Sequence, residues 1–294
     1  MKIINHTVSE KDDGKEIKTI LKNTLMLSSA MIKRLKYSDD GILLCNKKAK
    51  VTERVRMGDE LKLLLHDTVS PNIEPFYIPL DILYEDEDIL AINKPRLMPT
   101  HPSQNHHNDT LANAVMYYYR KNPFTFRVIT RLDKDTCGVV LIAKNAFSAH
   151  ILSKQMREGS ISKEYLAVCH GIFETKCGTV NAPIGRDKNS VIKRCVTMDG
   201  KEAVTDYEVI YEPGDISIVR LIPHTGRTHQ IRVHLSYIGH PIVGDDLYGL
   251  PEKNKETLLQ CSGISFTHPQ SGKIIKITAE ISDDIKLFFD DLNF

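Results

Sequence analysis

At 294 residues, with 41% hydrophobic and 26% charged residues, the chain is long enough to bury a sizeable core and too apolar to be extensively disordered. Its polar opening, MKIINHTVSEKDDGKEIK, lacks an apolar signal core, and no run approaches the roughly 18 apolar residues of a membrane span, so neither a secreted nor a membrane protein is expected. Six cysteines without a Cys-x-x-Cys pair read as reduced, mostly buried thiols of a cytoplasmic protein.

The net charge of +1 hides an asymmetry. Residues 1–66 carry 14 Lys+Arg against 9 Asp+Glu, while the remainder carries 25 against 29. A front of +5 on a body of −4 points weakly toward a polyanion partner, because solvated helix faces are also lysine-rich. From Gly14 to Tyr37 the spacing of Ile17, Ile20, Leu21, Thr24 and Leu25 predicts a helix. A second helix, capped by Ser28 or Ser29, carries Met31, Ile32 and Leu35. GILLCN and DELKLLL follow as strands, so residues 1–66 form a small module with Lys33, Arg34, Lys36, Lys47, Lys48 and Lys50 on its second helix and following loop. Residues 67–80, with three prolines and no period, read as a linker to a larger domain over 81–294.

In that larger part DILAIN is a strand, and DTLANAVMYYYRKN is a helix with Asp109 as N-cap. RVITRL and GVVLIAK are strands, and NAFSAHILSKQMREG is a helix stopped by Gly159. KEYLAVCHGIF, AVTDYEVIYE and ISIVRLIPH are strands, and RTHQIRVHLSYIG is a short helix with Thr228 able to cap it. GISFTHP and KIIKITAEI form a hairpin around Gln270, Ser271 and Gly272. Strands dominate and helices are scattered, so the fold class is α+β, a mixed or antiparallel sheet with flanking helices.

Three places put polar residues where the pattern predicts burial. In RVITRLDKDTCG, alternation sets Thr130 and Leu132 opposite Arg131 and Asp133, leaving a carboxylate at a strand end before a small-residue turn. Taken alone, a charged turn explains it. In KEYLAV, Tyr165 starts a strand, and lone tyrosines are usually half-buried core. In PHTGRTHQIRVHLSYIGHPIVGDDLYG, Arg232 follows His229 by one helical turn. The five-residue spacing of His229 and His234 places them about 140° apart on a helix, which argues against a metal site.

Together these stretches resemble the RluA-type pseudouridine synthases. RLDKDTCG is similar to their Arg-Leu-Asp-x-x-Thr-Ser-Gly signature, KEYLA to their Lys-x-Tyr motif, and TGRTHQIRVHL with GHPIVGDDLYG to their third motif and its tail. AINKPRLMPTHPS is similar to their opening strand and Lys-Pro loop, and the four motifs keep their order from Ala91 to Gly249. The first 66 residues resemble, more loosely, an RNA-binding module shared with a small-subunit ribosomal protein, although GKEIKTIL stands where such modules begin Arg-Leu-Asp. The resemblance implies an isomerase that detaches uracil from ribose and rejoins it through a ring carbon, needing neither metal nor small-molecule cofactor. It implies Asp133 as catalytic carboxylate, Arg232 as its partner, and Tyr165 against the flipped base, assisting proton removal. It implies Arg131 in the vacated stack, Leu235 as the pocket wall, and Arg227 and His229 at the substrate. The implied partner is structured RNA, ribosomal or transfer, bound by a monomer through Lys33, Arg34, Lys36, Lys47 and Lys48.

Two positions depart from the family pattern: Thr130 replaces a usual His, and Cys137 a usual Ser or Thr. Thr130 is expected to alter packing or RNA backbone contacts rather than chemistry, and Cys137 to serve packing. A glycosidase using Asp133 and Asp135 is disfavoured, because such carboxylates flank the scissile bond at about 5–9.5 Å rather than leaving one strand end together. A non-catalytic RNA-binding protein on this fold would be expected to have lost Asp133, Tyr165 or Arg232.

Overall fold

A computed structural model describes residues 2–66, 70, 72–250 and 256–289. The first part comprises β1 (Lys2–Thr7), α1 (Ile17–Thr19), α2 (Ser29–Tyr37), β2 (Ile42–Leu44), β3 (Lys47–Lys48) and β4 (Glu60–Leu65). Its antiparallel sheet has the order β1-β4-β2-β3. The polar opening conceals β1, whose six residues pair with β4 from Lys2 opposite Leu65 to Thr7 opposite Glu60. The helix expected from Gly14 is mostly absent: α1 gives way to a π-helical turn at Ile20–Thr24, although Ile17, Ile20 and Leu21 are buried as their spacing requires. Ser28 caps α2, its hydroxyl accepting from the Met31 N–H at 3.2 Å.

The rest comprises β5 (Asp81–Glu85), β6 (Ile89–Lys94), α3 (Leu111–Tyr118), β7 (Cys137–Ala143), α4 (Ala146–Glu158), β8 (Ser162–His170), β9 (Cys177–Asn181), β10 (Ile184–Arg186), β11 (Arg194–Val196), β12 (Val204–Tyr211), β13 (Ile216–Pro223), α5 (Gln230–Tyr237), β14 (Leu259–Thr267), β15 (Ile274–Thr278) and α6 (Asp283–Lys286). Among the described residues one mixed sheet runs β5-β6-β7-β14-β8-β13-β12-β9, with β15 on β14, and the architecture is α+β. Its one parallel pairing joins β7 to β14 at Cys137 and Gly138. β7 is wholly buried, and β6 and the Tyr165–Cys169 stretch of β8 nearly so, because both faces of the sheet are covered there. No helix among the described residues is long and apolar enough to cross a membrane.

Several local expectations shift by the choice of hydrogen-bond partner. RVITRL is not a strand: Thr130 Oγ1 accepts the Leu141 N–H at 2.9 Å, so a side chain replaces one rung of the ladder. Thr130 and Leu132 are nonetheless buried while Arg131 is exposed. Thr110, not Asp109, caps α3 in a reciprocal box with Asn113, and Asp109 instead binds His106. His229, in left-handed conformation (φ 56°), occupies the N-cap position assigned to Thr228. Cys137, Cys169 and Cys261 are buried, whereas Cys45 and Cys177 are exposed.

Of residues 67–80, positions 67–69 and 71 lie outside the described residues. Ile73, Ile78 and Leu80 pack on the larger core, and the Phe76 N–H donates to the Asn113 carbonyl at 3.2 Å. The first 66 residues also dock directly on the larger body. Phe147 and Ile151 of α4 join the front cluster of Ile4, Leu21, Leu27 and Met31. His150 Nε2 donates to the Met26 carbonyl at 2.9 Å. Lys2 Nζ lies 2.7 Å from Asp88 Oδ1, which also accepts from Asn145 and Ser148. Burial raises the Asp88 pKa, but these three donors outweigh it and hold the group below the usual carboxylate range.

Gly138 lies directly after the charged turn, at φ 108°, and a Cβ there would sit 2.1 Å from the Cys261 carbonyl oxygen. Gly138→Ala is therefore expected to cost roughly 2–4 kcal/mol in urea unfolding, from backbone strain and overlap together. Phe147→Ala should cost about 3 kcal/mol and split the unfolding transition, since the lost side chain belongs to the front core while its helix belongs to the body.

Candidate active site

Asp133, Tyr165, Arg232, Arg131, Arg227 and His229 line one cleft, with Lys163, Ile231, Gln230 and Leu259. Four elements bring them together. Asp133 sits in the turn before β7, Tyr165 in β8, Arg227 and His229 in the loop after β13, and Arg232 in the first turn of α5. Leu235 does not line the cleft. It lies one turn deeper on α5 and is 1% exposed within the core, while Ile231, four residues earlier on the same helix face, takes the wall position.

The turn that carries Asp133 is held from beneath. Lys94, fully buried, donates from Nζ to the carbonyls of Pro95 and Met98 at 2.8 Å and of Lys134 at 3.2 Å. Thr100 Oγ1 donates to the Leu132 carbonyl at 3.0 Å. The Lys-Pro segment is thus a floor under the charged turn. Burial pulls Lys94 down to about 8, against the opposing fields of Asp135 and Asp133. Cys137 packs behind the turn, its thiol raised by burial and 3.8 Å from the Leu259 carbonyl, as expected of a packing residue.

Arg232 is not the ion-pair partner of Asp133. Its planar fork is taken by Asp245, with Nε to Oδ2 and Nη2 to Oδ1 both at 2.7 Å. Asp245 lies thirteen residues on, completely buried, and also accepts the N–H groups of Leu247 and Tyr248 at 3.0 Å. Asp135 and Asp246 lie at 3.7 and 3.5 Å from the outer nitrogens. Asp133 acts on Arg232 only through its field at longer range. Burial alone would lower the Arg232 pKa; the Asp245 bonds and charge more than reverse that.

Burial pushes Tyr165 well above its ordinary value, with Cys261 and Asp133 adding to the effect. Lys163 is mostly desolvated and its pKa is lowered by burial; it lines the cleft beside Gly226. Sequence reasoning passed over Lys163, although it opens the same KEYLA stretch as Tyr165. Gln230 was also missed. Its side chain accepts from Thr225 Oγ1 and the Arg227 N–H, and donates to the Val204 carbonyl and Thr205 Oγ1, fixing the loop that carries Arg227 and His229.

Each histidine of this stretch has its own partner. His224 meets Asp206 at 2.6 Å, His229 meets Tyr248 at 2.8 Å, His234 lies between Thr205 and the Ala182 carbonyl, and His240 meets the His170 carbonyl. Burial lowers His229, with Asp133 raising it and Arg232 and Arg194 lowering it further. On the front module Lys33, Arg34, Lys36, Lys47 and Lys48 are all exposed. Lys48 reaches Asp39 at 3.1 Å and Arg34 donates to the His66 carbonyl.

Because Asp245 is completely buried, removing its partner leaves an uncompensated charge. Arg232→Leu should cost roughly 3–5 kcal/mol of stability, and the double change Arg232→Leu with Asp245→Leu should recover much of it, measured by chemical unfolding.

Residues 88–237 match the family model for RNA pseudouridylate synthase. The chain is 37% identical over 265 residues to the uncharacterized RNA pseudouridine synthase YjbO of Bacillus subtilis, covering 89% of this chain and 94% of that one. It is 35% identical over 249 residues to ribosomal large subunit pseudouridine synthase D of Haemophilus influenzae, covering 79% and 76%. The fold also superposes on human RNA pseudouridylate synthase domain containing 1 with a TM-score of 0.59 at 27% identity, over 69% of this chain and 83% of that one. The four motifs, the cleft they build and these likenesses agree, and the chain belongs to the RNA pseudouridine synthases, isomerases that act on RNA.

Proposed function

We propose that the protein converts particular uridines of ribosomal RNA to pseudouridine in the cytoplasm, as a monomer, with Asp133 as the catalytic carboxylate. The observation that carries this reading is the position of Asp133: a half-exposed carboxylate on a turn clamped by Lys94 and Thr100, lining a cleft whose other charged residues are the cations Arg131, Lys163, Arg227 and Arg232. A rigidly aimed carboxylate among Arg131, Lys163, Arg227 and Arg232 can meet the sugar of a nucleotide whose phosphates those cations hold. Cleavage of the glycosidic bond sends its electron pair to the base. The base then turns within the cleft against Tyr165 and Ile231 and rejoins the ribose through a ring carbon; that carbon gives up its proton to solvent and the former glycosidic nitrogen takes one up, so the product is an isomer of the starting nucleotide. Arg131, exposed at the cleft mouth, fills the stack that the flipped nucleotide leaves. The fork with Asp245 assigns Arg232 a supporting part: it fixes α5 and supplies a positive field to Asp133 and Asp135.

Ribosomal RNA is favoured over transfer RNA by the likeness to the large-subunit enzymes. The front of +5, with Lys33, Arg34, Lys36, Lys47 and Lys48 exposed, supplies phosphate contacts for a folded RNA. The small front module over 1–66 and the body over 81–294 then act as grip and catalyst.

Tritium release from uracil-5-labelled ribosomal RNA tests the reaction. Asp133→Asn is expected to lower release by roughly a thousandfold or more while RNA binding persists; retained turnover would remove Asp133 from its role. Ribosomal RNA from a strain lacking the gene should lose specific pseudouridines. Loss confined to transfer RNA would move the substrate to that class.

A further inference from the structure

Tyr248, in the loop that follows α5, does not line the cleft but touches a residue that does. Its hydroxyl oxygen lies 2.8 Å from the Arg194 backbone nitrogen and 2.8 Å from His229 Nδ1. A backbone N–H can only donate, so the Tyr248 oxygen accepts from Arg194. The hydroxyl oxygen could accept a second bond, but His229 Nδ1 is the described acceptor within reach of its hydrogen, and an O–H donated there leaves the neutral imidazole protonated at Nε2. The ring is held in other ways too. It meets Tyr248 edge-on at 5.7 Å and 72°, and its backbone is left-handed at φ 56°. Ser236 Oγ donates to the Tyr248 carbonyl at 2.9 Å, tying the tyrosine back to α5. No described residue hydrogen-bonds His229 Nε2, and His229 lines the cleft with Asp133.

We propose that His229 serves the reaction as a neutral hydrogen-bond donor, its Nε2–H aimed at a carbonyl oxygen of the detached uracil, with Tyr248 as the positioning residue that fixes the tautomer. This rests on the isomerisation proposed above. When the glycosidic bond breaks, its electrons pass to the uracil ring and charge develops on the carbonyl oxygens. A preorganised N–H stabilises that charge without giving up its proton. No proton leaves His229 at any step, and a ring already protonated at Nε2 is not a base there. Burial and the nearby guanidinium groups of Arg232 and Arg194 keep the imidazole from taking a second proton, against the opposing pull of Asp133.

Two measurements test this. In ¹⁵N-histidine-labelled protein, the ring signals lost in His229→Gln should show an unprotonated Nδ1 and a protonated Nε2 at neutral pH. Tyr248→Phe should give a mixture of tautomers. A wild-type ring protonated at Nδ1, or at both nitrogens, overturns the proposal, and that spectrum needs no substrate. The second measurement is turnover on saturating RNA. His229→Gln places an amide N–H near Nε2 and should stay within about threefold of wild type, whereas His229→Asn suits the left-handed backbone better but is too short and should fall about tenfold or more in kcat with KM little changed. Asn equal to or better than Gln would assign His229 a backbone role only and overturn the proposal. Wild type inactive on every RNA would overturn the reaction assigned above, while the tautomer would still be read from the spectrum.

Discussion

The buried fork between Arg232 and Asp245 is the constraint on which the cleft depends. Removing two opposite charges from water costs several kcal/mol for each, so such a pair persists only with good geometry and with its remaining lone pairs satisfied. Both conditions hold: two bonds of 2.7 Å join the groups, and the Asp245 carboxylate also receives two backbone N–H groups. Those amides shape the loop that ends in Tyr248, so one ion pair sets α5, the loop, and through Tyr248 the ring of His229 and the strand of Arg194. The remaining positive field of Arg232 falls on Asp133 and Asp135.

Two buried cations therefore flank the Asp133 carboxylate, and neither touches it. Arg232 lies on the helix side and Lys94 beneath the turn, each spending its hydrogen bonds on protein groups rather than on Asp133. This leaves the Asp133 oxygens to the cleft. Had a guanidinium clasped them in a fork, attack on a sugar would first have to break strong charge-assisted bonds. A field without contact leaves those oxygens available.

The motifs were readable because they depend on local chemistry. Gly159 ends α4, and Gly272 turns the β14–β15 hairpin, since left-handed turns are decided within a few residues. The six cleft residues were also readable, from their resemblance to a family pattern. The partner of Arg232 was not, because Asp133 and Asp245 are equally acidic and only the fold decides which meets the fork. Ile231 and Leu235 share an apolar helix face, and sequence does not say which one sits at the rim. β1 escaped notice because Asn5, His6 and Thr7 look like a solvated tail until β4 supplies a partner edge.

The attachment of the front module has a consequence for synthesis. Its own strands are complete at Leu65, yet Lys2 must wait for Asp88, and the front core lacks its last apolar wall until Phe147 and Ile151 have been made. At roughly 5–20 residues per second the interval from Leu65 to Ile151 is on the order of 5–15 s. During that time the basic front surface emerges from the ribosome before the body against which it packs. The nascent protein thus carries a net positive, incompletely walled module until α4 has been made.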